Sequence, residues 1–143
     1  MTTTEDLGSD LTLYAARLVR LLRREQPQPV GMRVLSILDE AGPLGVGQLA
    51  AVDQCSQPTM SGTVNALVER AWVTKRPDPA DARGSRVDLT AAGRQVLAAA
   101  RRANGATIAA RLTAAGLGSD ELAAAVDVLR TVLETPNPLL EEK

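Results

Sequence analysis

Apolar positions recur at steps of three and four along most of the chain. From Ser9 to Glu25 the set is Leu11, Tyr14, Leu18, Leu21 and Leu22, with Arg17, Arg20, Arg23 and Arg24 elsewhere on the same surface. That is one face of an amphipathic helix. Pro27 and Pro29 end it. A second helix is predicted from about Pro29 to Glu40, with Val30, Val34, Leu35 and Leu38 inside and Gly42-Pro43 as its breaker. Val46 to Val52 reads as two helical turns burying Leu49, Ala50 and Val52, with Gly45 as a weak but tolerable cap. Asp53-Gln54-Cys55 is then a turn. Ser56 is an N-cap, and Pro58 sits in the first turn, where a missing N–H costs nothing. The helix it opens runs to about Arg70 on an inner set of Met60, Val64, Leu67 and Ala71.

The period then changes. Trp72 to Arg76 and Arg86 to Leu89 read as two short strands. Pro77 to Ser85, with two prolines, two aspartates and a glycine, reads as the loop between them. Thr90 caps a long helix from Ala91 to about Ala115, with Val96, Leu97, Ile108 and Leu112 inside. Gly116-Leu117-Gly118 stops it. Ser119 caps a last helix to about Glu134, along Leu122, Val126, Leu129 and Leu133, and Pro136 and Pro138 close the fold.

Composition agrees with a mainly α chain. Of 143 residues, 23 are Ala and 20 Leu, and the only aromatics are Tyr14 and Trp72. That length suits a single domain, 1–143, able to bury a core without staples. Its longest apolar runs are Val96 to Ala100 and Leu122 to Val126, far short of the roughly 20 residues of a membrane span. Met1 to Asp10 carries acids and no base, unlike a signal peptide, so a cytoplasmic protein is expected. A lone Cys55 excludes an internal disulfide. The absence of histidine excludes a His general base and any His-bearing metal site. With no Gly-rich phosphate loop and no ligand cluster, neither a cofactor nor an enzyme is expected.

The net charge of −1 argues at first against a nucleic-acid partner. Its distribution reverses that inference. Residues 1–55 hold five bases and seven acids, and residues 103–143 hold three and six. Between them, residues 56–102 hold eight bases (Arg70, Lys75, Arg76, Arg83, Arg86, Arg94, Arg101, Arg102) against four acids (Glu69, Asp78, Asp81, Asp88), a net of +4. A phosphate-binding surface needs such a local excess.

The excess coincides with two helices joined by a short turn and followed by a hairpin, which is a winged helix-turn-helix. The second helix of such a unit enters the major groove by its N-terminal half. With Met60, Val64 and Leu67 inward, Ser56 at the cap and Gln57, Pro58, Ser61, Gly62 and Asn65 face out, flanked by Thr59 and Thr63. Amides pair with adenine edges, and Thr or Pro carbons meet thymine methyls. On the hairpin, Asp81 two residues before Arg83 is placed to hold the guanidinium toward a narrow target such as a minor groove, with Lys75, Arg76 and Arg86 nearby.

Four runs carry a family resemblance. They are Ser56-Gln57-Pro58-Thr59-Met60-Ser61, Leu67-Val68-Glu69-Arg70-Ala71-Trp72-Val73, Arg76-Pro77-Asp78-Pro79-Ala80-Asp81-Ala82-Arg83 and Val87-Asp88-Leu89-Thr90-Ala91-Ala92-Gly93. Together they resemble the MarR family of bacterial transcription regulators, by motif over about Leu44 to Leu97 and by element order over nearly the whole chain. The resemblance implies a winged helix-turn-helix lobe over 30–90 and helical dimerisation regions over 7–25 and 91–140. It also implies an obligate homodimer on a palindromic operator of double-stranded DNA, with Arg83 in a minor groove. Repression would be relieved by a small aromatic or anionic ligand, or by cysteine oxidation. Gly62 departs from the family, which often has a basic or larger polar residue there, so readout leans on Gln57, Thr59, Ser61 and the wing. Independently, the first and the last two helices carry more Leu and Ala than one small core absorbs, which favours a dimer.

Three features stay open at this level. Tyr14, Arg17 and Arg20 read either as the lining of an effector cavity or as a core tyrosine with surface arginines. Cys55, next to a helix start, reads as a redox sensor or as a small, partly buried side chain. Trp72 reads as packing under the wing. Beside the regulator stands an alternative from another class, a winged-helix protein-interaction module without DNA binding.

Overall fold

The computed structural model describes residues 1–140 and divides into two compact units, residues 1–104 and a second that begins at Gly105. The first opens with α1 (Thr4–Glu25). This helix starts five residues before the hydrophobic periodicity does, because Thr3 and Asp6 form a capping box. The Thr3 hydroxyl accepts the Asp6 N–H at 3.1 Å, and the Asp6 carboxylate accepts the Thr3 N–H at 2.8 Å. The same carboxylate also accepts the Thr3 hydroxyl at 2.8 Å, and the bonds from the Thr3 N–H and hydroxyl hold the Asp6 carboxyl below its ordinary value. No residue of α1 is buried.

After the linker comes α2 (Met32–Ala41), which begins three residues later than its pattern suggested. Gly31 at its start has φ +97°, and a β-carbon there would run into the Leu67 side chain. Val30, expected inside, is therefore left 80% exposed in the linker. Then follow β1 (Leu44–Gly45), α3 (Val46–Asp53) and α4 (Gln57–Glu69). The strand β1 is too short to leave a periodicity, and it forms by pairing Leu44 with Val87 across the sheet. Gly45 caps α3, with the Gln48 side chain reaching back to its N–H at 2.9 Å. Val52 is a further correction, since it lies 59% exposed on the outer side of α3.

The wing consists of β2 (Val73–Asp78) and β3 (Asp81–Leu89), in a three-stranded antiparallel sheet of order β1-β3-β2. The nine-residue loop expected here shrinks to Pro79-Ala80. Both strands run further than predicted, and the register shifts between Pro77, opposite Ser85, and Asp78, opposite Asp81, so that Ala82-Arg83-Gly84 loop out of the ladder.

The core draws on α2 (Val34, Leu35 and Leu38), α3 (Leu49 and Ala50), α4 (Met60, Val64 and Leu67) and the two wing strands (Val73, Val87 and Leu89), with Leu44 of β1 packed against it. Leu97 of α5 (Ala91–Ala114) closes it. Ala71, expected in the inner set, is exposed instead. It adopts a left-handed conformation (φ +60°) that ends α4, with the Trp72 N–H reaching back to the Leu67 carbonyl at 3.0 Å. Trp72 is half-buried against the core, as expected, with the Arg70 guanidinium 4.9 Å from its ring centre.

A short junction holds α5 against the sheet. The Thr90 hydroxyl donates to the Ala71 carbonyl at 2.6 Å and accepts the Gly93 N–H at 3.0 Å, while the Thr90 N–H donates to the Trp72 carbonyl at 3.0 Å. A β-carbon on Gly93 would collide with that Trp72 carbonyl. The Leu-Thr-x-x-Gly run is thus a cap and a point of close backbone approach in one. Further along α5, Arg101 reaches Asp39 of α2 at 2.7 Å.

In the second unit, the end of α5 turns at Gly116-Leu117-Gly118 into α6 (Ser119–Glu134). Gly118 rather than Ser119 is the N-cap, and Glu121 accepts its N–H at 3.0 Å. No residue of α6 is buried, and Val126, Leu129 and Leu133 are 43%, 40% and 84% exposed. A single turn at Pro138–Leu140 follows. Among the described residues, no helix is long and apolar enough to cross a membrane.

Candidate nucleic-acid interface

The segment between α3 and α4 builds the site from its backbone. Gln54 takes a left-handed conformation (φ +56°), and the Cys55 N–H closes back on the Ala50 carbonyl at 3.0 Å. Cys55 is half-buried against the core there. Ser56 caps α4, its hydroxyl accepting the Thr59 N–H at 3.3 Å and donating to the Thr59 hydroxyl at 2.8 Å. Pro58 lies in the first turn.

With Met60, Val64 and Leu67 inward as expected, Gln57, Pro58, Thr59, Gly62 and Asn65 are exposed, and Ser61 and Thr63 half-exposed. Their hydrogen-bonding groups are not equally available. Ser56 and Thr59 share the cap, and the Thr63 hydroxyl donates to the Thr59 carbonyl at 3.2 Å. Thr63 also lines a hollow of about 440 Å³ beside the 27–31 linker. Gln57, Ser61 and Asn65 keep uncommitted polar groups on the outer surface.

The wing carries exposed Lys75, Arg76, Arg83 and Arg86. Arg76 and Arg86 stand directly opposite each other on β2 and β3. Two like charges in that position cost stability unless an anion lies between them. They line a recess of about 490 Å³ with Thr74 and Asp88. Arg83 is exposed in the looped-out stretch at the tip. The reading of Asp81 as holder of its guanidinium is corrected: the carboxylate accepts the Arg83 backbone N–H at 2.9 Å, fixing the turn and leaving the side chain free to extend.

Tyr14, Arg17 and Arg20 line neither the hollow at Thr63 nor the concavity beside α1. Tyr14 is 58% exposed, with the Arg17 guanidinium 5.4 Å from its ring centre. The concavity among α1, α2 and α5 is lined instead by Leu22, Arg23, Met32, Arg33, Leu97 and Arg101, and holds about 320 Å³. Helical spacing sets Arg23 one turn beyond Arg20 on the same side of α1, and no local pattern shows that Arg33 lines the same concavity. Arg33 lies 2.7 Å from Asp53, whose buried Oδ1 has this guanidinium as partner without a well-aligned hydrogen bond. Among the described residues no cluster of His, Cys, Asp and Glu could hold a metal.

Comparison with known proteins places this geometry. Residues 28–85 match the model of the MarR family. An uncharacterised HTH-type transcriptional regulator of Mycobacterium leprae is 33% identical over 140 residues, covering 95% of this chain and 94% of its own. Among solved structures, a putative transcriptional regulator of Pseudomonas aeruginosa superposes with a TM-score of 0.71 at 27% identity, over 94% of this chain and 99% of that one. A mutant MarR from E. coli, complexed with operator DNA, gives a TM-score of 0.57 at 25% identity, over 89% and 91%. With its capped recognition helix, its wing and these relatives, the chain belongs to the MarR family of helix-turn-helix transcriptional regulators, which are not enzymes.

Proposed function

We propose that the protein is a homodimeric repressor that reads a palindromic double-stranded operator and is released from it by a small aromatic or anionic ligand. One observation carries the DNA reading: an N-capped helix presents short amides and hydroxyls outward, directly followed by a wing bearing Lys75, Arg76, Arg83 and Arg86. In this reading the first half of α4 enters the major groove, Gln57, Ser61 and Asn65 supply base contacts, and Ser56, Pro58, Thr59 and Thr63 supply backbone and methyl contacts. Arg83, held out by the turn that Asp81 fixes, enters the minor groove, and Arg76, Arg86 and Lys75 meet phosphates. The E. coli relative solved on operator DNA supports the DNA-binding reading.

The exposed apolar residues of α1 (Leu7, Leu13, Leu18, Val19) and of α6 (Val126, Leu129, Val132, Leu133) support dimerisation, since a stable fold leaves few such stripes in water. Two copies would present their helices about 34 Å apart, one turn of B-DNA. The concavity with Arg23 and Arg33 over Leu22, Met32 and Leu97 offers an anionic aromatic ligand both charge and apolar surface. Cys55 is half-buried against the core beside the start of α4, and that position is the one feature behind the alternative of a cysteine-oxidation sensor.

Genomic fragments captured by the purified protein supply the operator for a binding titration. Arg83→Ala should weaken binding by about 1–3 kcal/mol, and affinity should fall steeply with salt. Near-wild-type affinity of the variant would remove the wing contact. A flat salt response would favour the protein-interaction reading. Sedimentation of the free protein as a monomer would remove the dimer.

A further inference from the structure

Gly47 occupies the second position of α3, an eight-residue helix, where alanine would be the better helix former. The structure shows what occupies the space its missing side chain leaves. A β-carbon built on Gly47 would lie 2.8 Å from Nε2 and 3.8 Å from Cδ of Gln57, and it meets no other group within 4 Å. The amide of the first residue of α4 therefore rests on the bare backbone of α3.

Gln57 is also the most forward of the outward polar groups on α4 that are still free to bond a base, since the hydroxyls of Ser56 and Thr59 are tied together in the cap. We infer that Gly47 is a positioning residue for base readout. Its lack of a side chain sets the direction from which the Gln57 amide approaches the groove, so α3 contributes to sequence specificity without touching DNA. This rests on the DNA-reading function proposed above.

The test compares wild type, Gly47→Ala, Gln57→Ala and the double variant on a randomised operator library and on the selected operator, with melting temperatures recorded. Gly47→Ala should melt at or above wild type, because only the mobile end of Gln57 has to move. It should lose selectivity at one base step per half-site and weaken operator binding roughly 5- to 150-fold, the scale of one amide–base pair. Added to Gln57→Ala, it should change neither binding nor base preference further. The inference falls if Gly47→Ala selects the wild-type operator unchanged, or if its loss persists in full in the Gln57→Ala background. If Gln57→Ala leaves affinity and selectivity intact while wild type binds DNA, Gln57 is no reader, and this inference fails alone. If wild type selects no DNA at all, the functional proposal fails with it.

Discussion

Replacing Gly93 with alanine separates two opposite expectations. From helix propensity alone the change should help, because glycine inside a helix costs about 0.8–1 kcal/mol relative to alanine. The structure reverses the sign. The added methyl would land on the Trp72 carbonyl oxygen, a backbone atom that cannot rotate away. Relief requires α5 to lift from the start of β2. That motion strains the Thr90 N–H bond to Trp72 (3.0 Å) and the Thr90 hydroxyl bond to Ala71 (2.6 Å). Each is worth about 0.5–1.5 kcal/mol net, and overpacking adds about 1–3 kcal/mol. Less the propensity gain, Gly93→Ala should destabilise by about 1–5 kcal/mol. Gly62→Ala is the internal control. It too lies inside a helix, nothing approaches within 4 Å, and it should stabilise by about 0.5–1 kcal/mol. Urea denaturation of both variants at one fixed protomer concentration measures the difference, since oligomerisation makes stability concentration-dependent. A Gly93→Ala protein as stable as wild type, or one shifted in parallel with Gly62→Ala, would refute the close-approach argument.

Other consequences follow from single residues. Ala71→Gly should raise stability by about 0.5–1 kcal/mol, because the left-handed backbone at φ +60° strains an alanine and not a glycine; a loss in the same denaturation assay would contradict this. Ser56→Ala should cost about 1 kcal/mol through the lost bond to the Thr59 N–H, and an unchanged midpoint would mean the cap carries no weight. The Asp6 carboxyl, held down by Thr3, should titrate below its ordinary value of 3.8. A lowered folded value means its stabilisation of the start of α1 is present above that pH and lost as pH falls through the folded value. Amide chemical shifts of Thr3 and Asp6 in an acid titration report it, and a midpoint at or above 3.8 would overturn the capping argument.

Much of the site could be read from sequence because it is local. The cap at Ser56, the inward set Met60, Val64 and Leu67 and the outward Gln57 and Asn65 all follow from a 3.6-residue period and a hydrogen bond spanning three residues. The wing was legible only in outline. Pro77 to Ser85 carries loop-forming residues, yet Pro77 pairs with Ser85 and Asp78 with Asp81 across a bulge, and no composition reveals a bulge. Asp81 bonds the Arg83 backbone rather than its guanidinium, in the local turn that an aspartate makes with the N–H two residues on.

The sequence by itself determined the helices, the caps at Gly45, Ser56 and Thr90, the middle of the core and the concentration of positive charge in residues 56–102. These depend on neighbours within one or two turns. Tertiary structure alone decided that Leu44-Gly45 is a strand, that Val30 and Val52 lie outside, and that Gly93 and Gly47 are bare because a carbonyl and an amide press on them. Each of those depends on an atom that folding brings close from another element, and periodicity along one element contains no information about what will lie across from it.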